Sequence, residues 1–228
     1  PLPPAVQART IISEFTRRAW RRPVDAYEVD AQMKLSEFAT KDGDSFDSAI
    51  KLALQAVLIS PHFLFRGDIP AALPVSTAAN TPTARPIGEF ALASRLSYFL
   101  WSSMPDDELL DLAERGALRK NVDAQMRRML ASPKAQAFVA NFAGQWLEIR
   151  NLKFVAPDKE QFPNFDEPLR EAMRDETEAF FSHILKGDHS ILEFLNADYS
   201  FVNERLARHY GLTGVTGEEF RQVSLAGT

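Results

Sequence analysis

The stretch Gly88–Leu109, GEFALASRLSYFLWSSMPDDEL, holds the densest run of apolar and aromatic residues in the chain. Leu92, Leu96, Phe99 and Leu100 recur at helical spacing, which predicts a largely buried helix. Pro105 cannot continue that helix. Ser103, followed three residues later by Asp106, resembles a capping box that opens a second helix. Two packed helices joined by a short turn are typical of an all-α fold.

The rest of the chain repeats this helical pattern on both sides. Apolar residues at helical spacing predict helices over 5–19, 26–38 and 46–58, and again over 121–131, 133–149 and 166–186. Shorter helices are expected at 190–195 and 203–210, with one possible strand at 219–226. The predicted fold is all-α: a small three-helix unit followed by a larger multi-helix domain.

The predicted domain division rests on a change of composition. Residues 1–66 form the three-helix N-terminal unit, and residues 88–228 form the larger helical domain. Between them, residues 67–87 are rich in Pro, Ala and Thr and lose all periodicity, which is typical of a linker. The missing initiator Met and signal peptide suggest an excerpt of a longer protein or a processed chain.

Composition excludes several kinds of site. The net charge of -5 gives no support to nucleic-acid binding. No apolar run reaches the ~20 residues that span a bilayer. The chain contains no cysteine, so disulfides, thiolate catalysis, zinc–thiolate sites and covalent c-type haem attachment within it are excluded. We expect no cofactor within this chain.

Three residues are candidates for catalysis. Arg95 lies in the middle of an apolar helix, where it must reach water or pair with a carboxylate such as Glu176. Glu176 lies on the longest predicted helix, and His209 ends a short one. For His209 a structural role at the helix C-terminus is the alternative. For Arg95 the alternative is burial in the core against an acid such as Glu176 or Asp198.

Other residues are candidates for binding a ligand or metal. Tyr98, Trp101 and Trp146 could line a cleft, or could be plain core packing. Glu176 and His183 share a helix edge but lie about 10 Å apart along its axis, so we expect no metal site. The basic cluster 17–22, RRAWRR, is expected to be a solvated helix end whose Trp20 packs inward.

Several long phrases of the chain resemble a known pair of domains. They are FTRRAWRRPV, ALQAVLISPHFLFR, the opening stretch above, NFAGQWLEIRNL, FPNFDEPLREAMRDETEAFF and ADYSFVNERLARHYG. In this order they are similar to the adjacent domains of unknown function fifteen-ninety-five, over roughly 5–66, and fifteen-ninety-two, over 88–228. These occur in large exported proteins of planctomycetes and related bacteria.

The resemblance implies a setting and supplies no catalytic residues. Its members commonly carry further domains, often c-type cytochrome modules, and are periplasmic or secreted. It implies a non-catalytic helical part that mediates domain contacts or electron transfer, with other domains of the same protein as partners and haem only in those domains. An enzyme domain acting on a polysaccharide or other polymer, and a ligand-binding module with a Trp-lined surface, are the alternatives.

Overall fold

Helices make up most of the structure. A computed structural model describes residues 2–66 and 87–226. Before residue 67 lie the helices α1 (Pro4–Trp20), α2 (Ala26–Lys41), α3 (Phe46–Leu58) and α4 (Pro61–Leu64). They are followed by α5 (Glu89–Trp101), α6 (Asp107–Glu114), α7 (Val122–Ala131), α8 (Gln136–Phe138), α9 (Gly144–Trp146), α10 (Glu167–Gly187), α11 (Glu193–Asn196) and α12 (Glu204–Tyr210). The predicted all-α class is confirmed.

Contacts group the chain into two compact units, Pro1–Arg128 and Met129–Thr228. The first unit therefore contains α5 and α6 as well as α1–α4. The predicted linker, apart from Ile87, lies outside the described residues. The division into 1–66, 67–87 and 88–228 stays a prediction.

In the first unit, α1, α2 and α3 enclose a small apolar core. Each helix contributes one face because its apolar residues recur every three or four positions. The buried side chains of this core are Ala8, Ile12, Val29, Met33, Ile50 and Ala53. The capping box predicted for α2 is confirmed, since the Asp25 N–H donates to the Glu28 carboxylate over 2.9 Å.

The basic cluster 17–22 differs from its prediction. Trp20 is buried as expected, but Arg21 is only 5% exposed. Its guanidinium donates to the carbonyl oxygens of His62, Phe63 and Phe65. These carbonyls belong to the last turn of α4 and the residue after it, where no helical N–H is available. The prediction of a solvated helix end is therefore wrong for Arg21, because the carbonyls supply its hydrogen bonds.

Another arginine of the cluster ties α1 to α6. The Arg17 guanidinium donates to Asp111 and Glu114, each over 2.9 Å. The N-cap of α6 is Asp106, whose carboxylate accepts from the Leu109 N–H. The prediction of a capping box from Ser103 is therefore wrong, because the helix begins three residues later with Asp106 as a simple N-cap.

The second unit is built around α10. The helix predicted over 133–149 is wrong as a continuous α-helix, because a π-helical turn at Val139–Ala143 separates α8 from α9. The strand predicted near the C-terminus is β2 (Arg221–Ser224), which pairs antiparallel with β1 (Tyr199–Val202). The buried core side chains between α10, β1 and α12 are Leu169, Ala172, Val202, Leu206 and Ala207.

Helices long and apolar enough to cross a membrane are absent from the described part of the chain.

Candidate functional site

The predicted site residues of the first unit all lie on α5. Arg95 is exposed, so its predicted alternative, a core arginine, is wrong. Trp101 is buried, and the Arg128 guanidinium carbon lies 5.5 Å from its ring centroid. Its place is therefore in the packing of the unit and not in an open cleft.

Two arginine side chains, Arg21 and Arg66, contact Tyr98. Its hydroxyl accepts a hydrogen bond from Arg21 over 3.4 Å. The Arg66 guanidinium carbon lies 4.3 Å from the ring centroid, in cation–π geometry. Both contacts belong to the fold of the first unit, so they give Tyr98 a structural role.

Glu176 joins three elements of the second unit. From α10, its carboxylate accepts hydrogen bonds from the hydroxyls of Ser200 on β1 and Tyr210 on α12, the latter over 2.8 Å. Burial, together with this hydrogen bond, raises the pKa of the Tyr210 phenol. The carboxylate is thus used as an anchor for β1 and α12.

His209 lies in the last turn of α12 and is exposed. Its ring centroid is 5.5 Å from that of Tyr210. An imidazole at this end of a helix interacts favourably with the helix dipole when it is protonated. This position matches the structural alternative considered for His209.

A groove that the sequence did not predict runs along α10, with a volume of about 630 Å³. One helical face forms its length, because the residues recur every three or four positions: Asp175, Glu178, Ala179, Ser182, His183 and Lys186. Phe201 and Phe220 line it from the C-terminal part of the unit, and Gln136 lines it from α8. The sequence signal was the polar stripe on α10, but only the fold places two aromatic rings beside it.

A stacked pair of imidazoles lies at the C-terminal end of this groove. The His183 and His189 ring centroids are 4.5 Å apart and the rings are nearly parallel. Asp188 adopts a left-handed conformation that turns the chain back. A Cβ at Gly187 would overlap the His189 ring, so only glycine leaves room for this arrangement.

His189, one of the two stacked imidazoles, also lies next to Glu193, which is hydrogen-bonded to Tyr199. His189 Nδ1 lies 3.4 Å from the Glu193 carboxylate. The Tyr199 hydroxyl donates to the same carboxylate, which raises the pKa of Tyr199 to about 12 and lowers that of Glu193. Within residues 2–66 and 87–226, no three His, Cys, Asp or Glu side chains are grouped as metal ligands would be.

An aromatic cluster packs around Phe181 and reaches the surface. The Phe142, Trp146 and Phe194 ring centroids lie 5.4–6.5 Å from that of the buried Phe181. Trp146 is 58% exposed. The segment carrying Phe194 exposes further apolar side chains, with Leu195 at 88% and Ile191 at 77%.

We refer to this surface as the aromatic face, and define it as Phe142, Trp146, Ile191, Leu192, Phe194 and Leu195. Trp146 and Phe194 connect its two segments, since their rings meet edge to face with centroids 6.1 Å apart. The π-helical turn directly precedes α9, which carries Trp146, and such turns are frequent at functional sites. Of the predicted ligand-contacting residues, Trp146 alone lies on this face.

Comparison with known families gives two matches. The model of the family described as PSD4, protein of unknown function (DUF1592), matches residues 87–212. The model of PSD5, protein of unknown function (DUF1595), matches residues 7–68. The resemblance noted from the sequence is thereby confirmed. No curated protein and no solved structure matches the chain.

Proposed function

Because the chain belongs to the family of proteins of unknown function DUF1592, we propose that it is a non-catalytic helical part of a larger exported, cytochrome-associated protein. Its role there is to hold a neighbouring domain of the same polypeptide. The aromatic face is the surface that makes this contact. The exposure of Trp146, Ile191 and Leu195 is the observation that carries the proposal.

An exposed apolar surface of this kind favours a partner that is itself apolar. Soluble monomers rarely expose contiguous apolar patches larger than a few hundred Å², and larger ones mark interaction sites. Here the Trp146 and Phe194 rings pack directly on the buried Phe181. The occupant that fits is an apolar patch on an adjoining domain, because linkage to the chain raises its effective concentration.

The candidate catalytic residues support a non-catalytic role. Glu176 accepts hydrogen bonds from Ser200 and Tyr210. Tyr98, a candidate for ligand binding, is likewise contacted by Arg21 and Arg66. His209 is exposed at a helix end. The contacts of Glu176 and Tyr98 are explained by the fold, with no reaction required.

Variants of the aromatic face test the domain contact in the full natural polypeptide. With Trp146→Ser and Leu195→Ser combined, we expect a protease to release the neighbouring domain at least several times faster than in the unmodified protein. Phe38→Ser is the matched control, since Phe38 is an exposed aromatic residue of the first unit. Equal release from both variants, or a natural polypeptide without a further domain, would contradict the proposal.

Export and cytochrome association rest on the family resemblance and have their own test. Fractionation of the native cells should place the polypeptide in the periplasm or the medium. The absorption spectrum of the purified full polypeptide should show c-type haem, bound in a domain other than this one. A cytoplasmic protein without haem would contradict this part of the proposal.

A role in electron transfer is supported by one feature, a row of rings leading away from Trp146. The centroid steps are 6.1 Å to Phe194, 5.9 Å to Phe180 and 5.5 Å to Tyr199. The Tyr199 hydroxyl already donates to Glu193. If Tyr199 loses one electron to an oxidant, the carboxylate is in place to take the phenolic proton.

A photogenerated ruthenium(III) polypyridyl complex can serve as that oxidant for the isolated chain. It gains the electron and becomes ruthenium(II), while the Tyr199 O–H bond breaks and a proton moves to Glu193. We expect a tyrosyl radical in the electron paramagnetic resonance spectrum, absent in Tyr199→Phe and formed more slowly in Trp146→Phe. A radical unaffected by both substitutions would contradict this role.

A further inference from the structure

We propose that the groove along α10 binds a short oligosaccharide whose sugars carry no acid groups. The proposal goes beyond the domain contact and rests on a different surface of the second unit. The shape of the groove, the chemistry of its two sides and its charge each support this ligand.

The shape favours an extended ligand. Asp175 and Lys186 mark the two ends of the groove along α10, and eleven residues at 1.5 Å rise separate them by about 16 Å. The stacked His183 and His189 rings lie at the C-terminal end. A linear chain of a few sugar rings occupies such a groove better than a single compact molecule does.

The two sides of the groove differ in chemistry. Phe201 and Phe220 supply apolar ring surface, and His183 packs near Phe201 with the ring centroids 5.1 Å apart. The α10 side supplies carboxylates, the Ser182 hydroxyl and an ammonium group. A sugar ring matches both sides, since its C–H faces pack on aromatic rings and its hydroxyls both donate and accept hydrogen bonds.

Hydrogen bonds from sugar hydroxyls to carboxylates are of the strong, charge-assisted kind. Glu178 already accepts from an uncharged group, the Gln136 amide, over 3.4 Å. A ligand hydroxyl can take the place of this long contact or add to it. The Gln136 amide and the Glu178 carboxylate together offer donors and acceptors to neighbouring hydroxyls.

The carboxylates on the α10 side of the groove disfavour acidic glycans. The lining contains Glu178 and Asp175, the latter paired with the Arg174 guanidinium over 2.7 Å, and one ammonium group from Lys186. A polyanionic ligand would bring its own carboxylates close to these two, which costs binding energy. Neutral sugars and amino sugars meet no such repulsion.

The imidazole end of the groove is fixed before any ligand arrives. Gly187 leaves space for the His189 ring, which stacks on His183 and also meets Glu193. Rigid side chains lose little conformational entropy on binding. His183 can therefore act as a preformed end wall of the groove.

The test uses the 228-residue chain and four probes in isothermal titration calorimetry. They are cellohexaose, a glucosamine hexamer, a galacturonate hexamer and an extended hexapeptide containing lysine and glutamate. We expect binding of the first two at millimolar concentration or below, and none of the last two. Failure of both neutral and amino-sugar probes, or binding of the peptide alone, would overturn the proposal.

Substitutions in the groove test whether the oligosaccharide binds there. Phe201→Ala and Glu178→Gln should each weaken it roughly tenfold, about 1.4 kcal/mol. Phe154→Ala is the control, since Phe154 is exposed and does not line the groove. Glu178→Gln keeps the test valid should Phe201→Ala unfold the chain. Unchanged binding in Glu178→Gln, or equal loss in the control, would overturn the assignment to this groove.

Discussion

Arg22 and Glu28 form a two-point ion pair at the start of α2. The two terminal guanidinium nitrogens lie 3.0 and 2.7 Å from the two carboxylate oxygens. The Glu28 side chain is 8% exposed, which limits screening by solvent. The hydrogen bonds from Arg22 therefore lower the pKa of Glu28 below its ordinary value of 4.5.

This pair predicts a loss of stability in acid. Because the folded pKa of Glu28 is lowered, its contribution is fully present above pH 4.5, the ordinary value. It is lost as the pH falls through the folded pKa. In urea unfolding at several pH values, the free energy of unfolding of Glu28→Gln should fall less below pH 4.5 than that of the unmodified chain. Glu37→Gln, an exposed residue of the same helix, is the control; identical acid profiles for Glu28→Gln and the unmodified chain would contradict the prediction.

Replacing Arg21 should lower the free energy of unfolding more than replacing its neighbour Arg18 in the basic cluster. Arg21→Ala leaves three carbonyl oxygens at the end of α4 without their donor. We expect the free energy of unfolding to fall by about 2–4 kcal/mol in urea titrations. Arg18→Ala is the comparison, since Arg18 makes an exposed ion pair with Asp107 at 3.9 Å, and the substitution should cost less than ~0.5 kcal/mol. Equal losses in the two variants would contradict the buried role.

Replacing Glu176 should destabilise the fold. Glu176→Ala removes the acceptor for the hydroxyls of Ser200 and Tyr210. We expect a loss of about 1–2 kcal/mol on chemical unfolding, because Tyr210 is partly exposed and its hydroxyl can turn to water. Glu176→Gln keeps an acceptor oxygen and should recover part of this loss. A stability unchanged in Glu176→Ala would contradict the anchoring role.

Replacing Gly187 should disturb the stacking of His189 on His183 with little change in stability. In Gly187→Ala, the added Cβ displaces the His189 ring from His183. Loss of the stack is offset by the better helix propensity of alanine, worth up to ~1 kcal/mol. The imidazole proton resonances of His183 should shift as they do in His189→Ala. His183 resonances at their original positions would show that the stack persists.

Helix positions in the chain followed from the sequence because apolar spacing, caps and breakers act locally. α3 matches its predicted bounds of 46–58, and α12 ends at Gly211 as predicted. The π-helical turn at Val139–Ala143 did not follow, since its residues carry no local signal against an ordinary helix. β1 was missed because its pairing with β2 joins residues 19 to 25 positions apart, which no local pattern encodes.

The roles of single residues depended on tertiary contacts that sequence spacing does not encode. Arg21 was expected in solvent with the rest of RRAWRR, but the carbonyls of another helix end bury it. For Arg95 the sequence left open whether it reaches water or pairs with an acid in the core, and the structure shows it exposed. The α10 groove needed Phe201 and Phe220, which lie far from α10 in sequence.

The central claim is that a neighbouring domain covers the aromatic face, and hydroxyl-radical footprinting tests it most directly. The 228-residue chain and the full natural polypeptide are labelled under identical conditions, and oxidation is quantified at Trp146 and Leu195. Phe38, which is exposed in the other unit, serves as the internal reference. We predict at least severalfold lower oxidation of Trp146 and Leu195 in the full polypeptide, with Phe38 unchanged. Equal oxidation of Trp146 and Leu195 in both proteins would contradict the claim.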